Sequence, residues 1–183
     1  VARSNARGFW VLFLWAATLR VGVLQLLPED LIAPNPDWET GAIALSLARS
    51  GAYADPYVVP TGPTAHAPPL YVGAASLLYR VLGTGYAGGL TRWILVLAAS
   101  CVLWGLLPWM GEKTGLGREA GIVGGVAGAL SLGFPYEIQP FVALALLLLV
   151  AAFLARWTRW PPTPVGSILL GAASGAAFHL KPA

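Results

Sequence analysis

Long stretches of this chain carry almost no charge, and that limits its fold more than any other feature. Six apolar runs stand out: 8–27, 66–82, 91–110, 119–134, 138–155 and 165–181. About 20 apolar residues suffice for a helix to cross the hydrocarbon core of a bilayer. Hydrophobic residues make up 57% of the chain and charged residues 10%, whereas a soluble domain carries about a quarter charged. The mean hydropathy is +0.69. An all-α integral membrane protein is the expected class. The net charge of +3 comes with no basic patch interleaved with aromatics, so nucleic acid is not an indicated partner. Cys101 is the single cysteine and lies inside an apolar run, which excludes a disulfide within one chain and a cysteine-based metal site. The first run is long enough to span and no A-x-A-like site follows it, so it does not read as a cleavable signal. The start at Val1 and the ending "HLKPA" read as those of one module, 1–183, from the N-terminal part of a longer protein.

Basic residues arbitrate the topology. Suppose that 66–82 lies along the outer interface and the other five runs cross. Arg3 and Arg7, Lys113 and Arg118, and Arg156 and Arg159 then all fall on the cytoplasmic side, as the positive-inside rule requires. If 66–82 crosses too, "RWTRWPPTP" is placed outside, against the rule. The shortness of 66–82, its Pro pair and Arg80 near its end point the same way. The expectation is five transmembrane helices plus interfacial helices in a long outer loop, 28–90, with six spans as the alternative. Gly121-xxx-Gly125, Gly124-xxx-Gly128 and Gly171-xxx-Gly175 are small-residue faces that suit close helix packing.

The outer loop carries the residues with chemistry. "PNPDWETGAIALSLARSGAY" predicts a helix over 38–50, with Asp37 at the N-cap position and Gly51 ending it. Glu39, Ser46 and Ser50 share a narrow polar stripe, while Trp38, Ala42, Ile43, Leu45 and Leu47 cover the rest, a pattern for a helix half-sunk at a membrane surface. Asp37 serves either as a cap, contributing ~1 kcal/mol, or as a catalytic base, and the two roles are compatible. The stretch 55–71 is extended and stiffened by prolines at 56, 60, 63, 68 and 69. His66 and Tyr71 flank its Pro pair. Arg80 and Arg92 read as snorkelling residues, and Arg92, like Lys181, would equally suit an anionic headgroup. Glu137 is the acid in the turn between the third and fourth spans, where a solvated acid is the plain reading.

Together, a first span, an acid-bearing amphipathic segment ending in "SGAY", then "HAPPLY", then Arg92 opening the next span form a pattern in order and spacing. It resembles the N-terminal part of the GT-C glycosyltransferases, in the branch of protein O-mannosyltransferases and lipid A aminoarabinose transferases. The ending "GAASGAAFHLKPA" is similar to that family's Gly-rich span closing in Lys-Pro. Two departures stand out: Asp37-Trp38-Glu39 replaces an Asp-Glu pair, and Glu137 stands where relatives often carry Asp. The resemblance implies inverting sugar transfer from a polyprenyl-phosphate donor on the outer face of a plasma membrane, bacterial inner membrane included. It implies Asp37 as general base, and Glu39, His66, Tyr71, Arg92, Glu137 and Lys181 as substrate-binding residues. Some relatives use a divalent metal, which Glu39 or Glu137 would help hold, although no convincing ligand set is present. The acceptor is left open by the sequence.

Two other classes compete. A transporter would place ionisable residues inside spans along a pathway; only Arg20 qualifies, near the outer end of its run. A non-catalytic membrane subunit is the third reading.

Overall fold

The computed structural model describes residues 2–26, 39–57, 59–65, 67–130, 139–157 and 163–179. Among the described residues there are seven helices and no extended strand: α1 (Ala2–Gln25), α2 (Glu39–Ser50), α3 (Pro69–Leu82), α4 (Tyr86–Thr114), α5 (Arg118–Leu130), α6 (Gln139–Trp157) and α7 (Pro164–Phe178). Two stretches are long and apolar enough to cross a membrane, Ala6–Gln25 and Tyr86–Thr114. Shorter apolar helices occupy Pro69–Leu82, Pro140–Leu154 and Pro164–Ala177. The chain divides into two compact units: Val1–Gln25 with Val96–Ala177, and Leu26–Leu95 with Phe178–Ala183.

In the first unit the helices approach through residues that lack bulk. Ala16, Cys101 and Ala129 are buried together from α1, α4 and α5, with Phe13, Ala17 and Trp104 packed against them. A Cβ added at Gly105 would lie 2.9 Å from the Phe9 ring, one at Gly125 2.9 Å from the Trp104 carbonyl oxygen, and one at Gly121 2.6 Å from Pro108 Cα. These pairs fix directions. Phe9 meets Gly105 and Ala16 meets Cys101, so α1 and α4 run antiparallel. Gly8 meets Arg118, Leu12 meets Gly125 and Ala16 meets Ala129, so α1 and α5 run parallel. Gly121 and Gly125 thus act as the close-packing residues their spacing suggests, whereas Gly171 and Gly175 have nothing within 4 Å. Arg20, buried in α1, places its guanidinium 4.9 Å from the centre of the Trp104 ring, which offsets part of the cost of a cation at that depth.

The second unit has a core of side chains. Ile43, Ala44 and Leu45 of α2 pack on Val72, Ala75 and Tyr79 of α3, with Ala67 beneath. The half-sunk helix expected at 38–50 is therefore present over Glu39–Ser50, but α3 covers its apolar face. It ends at Gly51, whose φ of 76° is cheap only for glycine and whose N–H donates to the Leu47 carbonyl. Arg80 donates to that same Leu47 carbonyl at 2.7 Å, tying α3 to the end of α2. The intervening segment is extended, as its prolines suggest, with Ala54 bridged to Pro63. Asp55, at φ 57°, accepts from the N–H groups of Thr61 and Gly62 at 2.9 and 2.8 Å. That carboxylate orders the loop.

Candidate functional site

The α3–α4 corner brings two of the sequence-selected residues together. α3 begins with Pro69 in its first turn, where a missing N–H costs nothing. It ends at Gly83, φ 85°, and α4 starts three residues later. Gly88 lies directly against the Gly83 carbonyl, and its added Cβ would be 3.1 Å from the Tyr79 ring. Only glycine lets the two helices turn so tightly. The result sets the first turns of α4 beside the face of α3 that carries Tyr71, Ala75 and Tyr79, spaced at i, i+4 and i+8.

Arg92 sits in this corner with 5% of its surface exposed, Tyr71 with 7% and Tyr79 with 2%. The Arg92 guanidinium donates a hydrogen bond to the Tyr71 hydroxyl and lies 5.5 Å from the centre of the Trp93 ring. Burial pushes the Tyr71 phenol up to about 12, with Arg92 pulling the other way. Burial raises the Tyr79 phenol as well, again opposed by Arg92. Both tyrosines therefore stay neutral near pH 7 and present hydroxyl groups to the cation. The Tyr79 hydroxyl is buried without a hydrogen-bond partner among the described residues. Such a group costs about 1–3 kcal/mol unless a ligand or water meets it. A buried cation flanked by neutral hydroxyls can bind a phosphate or carboxylate oxygen.

Glu39 opens α2 with its side chain exposed. Asp37, His66, Glu137 and Lys181 lie outside the described residues, as does the N-cap expected at Asp37. Among the described residues no group of three His, Cys, Asp or Glu side chains is placed to hold a metal ion. Sequence reasoning missed Tyr79, because a tyrosine on an apolar helix face reads as ordinary core. Its i+8 spacing from Tyr71, with Arg92 downstream, was the available signal. No family model, no curated protein and no solved structure matches this chain.

Proposed function

We propose that the chain is the membrane module of a glycosyltransferase of the GT-C type, moving a sugar from a polyprenyl-phosphate donor to an acceptor on the outer face of the membrane. The observation that carries this reading is the buried Arg92 at the start of a helix long enough to span, hydrogen-bonded to Tyr71. Both were selected on the sequence as substrate-binding residues. A cation near the membrane is expensive to bury, by about 2.5–3.5 kcal/mol at the centre of a spanning helix and less toward its end. A phosphate at the membrane surface offsets that expense.

In this reading Asp37 removes the proton of the acceptor hydroxyl. The acceptor oxygen bonds to the anomeric carbon from the face opposite the phosphate, and the bond from that carbon to the phosphate oxygen breaks. Polyprenyl phosphate departs with the electron pair, and Arg92 holds its growing negative charge. A phosphate leaving group needs little acid assistance. Glu39, His66, Tyr71, Glu137 and Lys181 complete the proposed binding set.

Five spans belong to the same proposal. The antiparallel pairing of α1 with α4 supports it, because consecutive crossings alternate in direction. A single extra crossing by 66–82 between them would make α1 and α4 point the same way. Cysteine labelling decides this point: positions 84–88 should react from outside and position 158 should not. The reverse pattern restores six spans.

The hydrogen bond from Arg92 to Tyr71 favours a second reading, in which Arg92 only staples α4 to α3. Transfer of radiolabelled sugar from a polyprenyl-phosphate donor by the full-length protein in membranes tests the first. Arg92→Ala should weaken donor binding by roughly tenfold or more, in line with loss of a charge-assisted hydrogen bond of about 1.5–3 kcal/mol. Unchanged donor affinity together with lost expression would leave Arg92 as a staple.

A further inference from the structure

A groove of about 470 Å³ runs between α1 and α5 in the first unit, and its chemistry is graded along its length. One end carries Arg7 and Arg118. The remainder is apolar, with Val11, Trp15, Ile122 and Val126 on its walls. No acid lines it. Because α1 and α5 run parallel, the two arginines share one end. The eight helical steps from Arg7 to Trp15, and from Arg118 to Val126, each extend about 12 Å along a helix. That is close to one leaflet of a hydrocarbon core about 30 Å thick.

Gly8 makes the charged end possible. A Cβ there would lie 2.9 Å from an Arg118 Nη atom and 3.8 Å from its Cζ, so any larger residue would displace the guanidinium. Its absence lets Arg118 lie across α1 one residue from Arg7. Two cations meeting on one surface repel each other. Arg118 also opens α5, where the helix dipole is positive and adds to its charge instead of offsetting it. The Glu119 carboxylate lies by Gly117 in the connecting turn. The apolar walls are open as well, with Val11 67% exposed and Trp15 38%.

We propose that this groove is a binding site for an anionic phospholipid. Its phosphate lies between Arg7 and Arg118, and one acyl chain lies along Val11, Trp15, Ile122 and Val126. The charged end meets the headgroup and the apolar depth matches one leaflet. The positive-inside distribution puts this end on the cytoplasmic side, where anionic lipids add about 1 kcal/mol of attraction per basic residue. The proposal needs only that α1 be embedded in a bilayer and does not depend on sugar transfer.

Trp15 gives a direct readout. The full-length protein is reconstituted into phosphatidylcholine vesicles that hold a minor fraction of either chain-brominated phosphatidylglycerol or chain-brominated phosphatidylcholine. The quenching attributable to Trp15 is the difference between the protein and its Trp15→Phe variant. Phosphatidylglycerol should be preferred by roughly tenfold or more. The preference should vanish in Arg7→Gln/Arg118→Gln, and also in Val126→Phe, which fills the groove while keeping both charges. Equal quenching by the two lipids in the unmodified protein overturns the proposal. A preference that survives Val126→Phe also overturns it, because the attraction would then be a surface effect outside the groove. Displacement of the lipid by inorganic phosphate would mark a free-anion site and sink the lipid assignment. Val126→Phe keeps the test decisive even if the double arginine variant fails to insert.

Discussion

The two units of this chain hold their helices together by different means. Between α2 and α3 the buried surface consists of whole side chains, with Ile43 and Val72 fully covered and Tyr79 nearly so. Among α1, α4 and α5 the closest approaches are made by glycine against backbone and aromatic rings, Gly105 on Phe9, Gly121 on Leu107 and Pro108, Gly125 on Trp104, with Leu12, Val96 and Met110 buried beside them. Trp10, Val11 and Leu14 of that unit point outward and are more than half exposed. Water drives the first kind of packing, since burying large apolar groups is favourable only when they would otherwise be hydrated. In lipid that driving force between helices disappears, and close approach of small residues takes over. The α2–α3 unit is therefore packed mainly through side chains, and the α1–α4–α5 unit through close approach at small residues. The buried Arg92 lies in the former and the open groove in the latter.

The sharpest way to break this contrast is to add bulk where backbones touch. A side chain at Gly121 meets the Leu107 carbonyl and Pro108 Cα, and neither can move aside without unpacking α4. Gly121→Leu should cost more than about 3 kcal/mol or prevent folding, beyond ordinary overpacking. Gly171→Leu, at a glycine with open space around it, should shift stability by less than about 0.5 kcal/mol. Thermal unfolding of the detergent-solubilised variants compares them. Equal effects would mean that small-residue contact does not hold the bundle.

The second test concerns chemistry. In the proposed mechanism catalysis belongs to the unit that spans Leu26–Leu95, with Asp37 as the base. Asp37→Asn keeps the shape and caps a helix about equally well, but it removes the charge and the basicity. Turnover in the full-length protein should fall by roughly two orders of magnitude or more with donor binding nearly intact. Near-normal turnover in a folded variant would end the catalytic claim and leave a capping residue. An Ala variant should then lose about 1 kcal/mol of local stability.

Much of this architecture could be read from composition and periodicity, because both report what one helix does by itself. The helix expected over 38–50 begins at Glu39 and ends at Ser50, and the close packing at Gly121 and Gly125 followed from their spacing. The run 91–110 extends in both directions to Tyr86 and Thr114, since polar and glycine residues at helix ends continue the hydrogen-bond ladder without adding hydrophobicity. What a single-helix argument could not reach was pairing between segments. Nothing in the pattern of 38–50 distinguishes a membrane surface from α3 as the cover for Ile43. Arg80 as the cap of α2 depends on the pairing of α2 with α3, and Tyr79 beside Arg92 on the tertiary turn through Gly83 and Gly88. The groove depends on the parallel pairing of α1 with α5, which no local motif encodes.

The smallest expected effect separates the units by pH. Tyrosines 53, 57, 71, 79 and 86 all fall in the segment Leu26–Leu95, and burial raises the Tyr71 phenol from 10.0 to about 12. Below pH 10 the phenol keeps its proton whether the chain is folded or unfolded. Between pH 10 and about 12 the unfolded chain loses that proton while the folded one retains it. The unfolded state then binds fewer protons, so stability falls as pH rises. At about 1.4 kcal/mol per pH unit the loss over this window is at most about 2.7 kcal/mol. Tyr71→Phe removes this contribution, along with the hydrogen bond from Arg92 that is worth roughly 1.5 kcal/mol at neutral pH. The variant should therefore start less stable and decline less steeply in thermal unfolding followed by circular dichroism across the alkaline range. Tyr79, shifted in the same direction, keeps a residual slope. An unchanged slope in Tyr71→Phe would mean that the phenol is hydrated and that the corner around Arg92 is open to water. The contrast between a dry core on the α2–α3 side and an open groove between α1 and α5 would then fail.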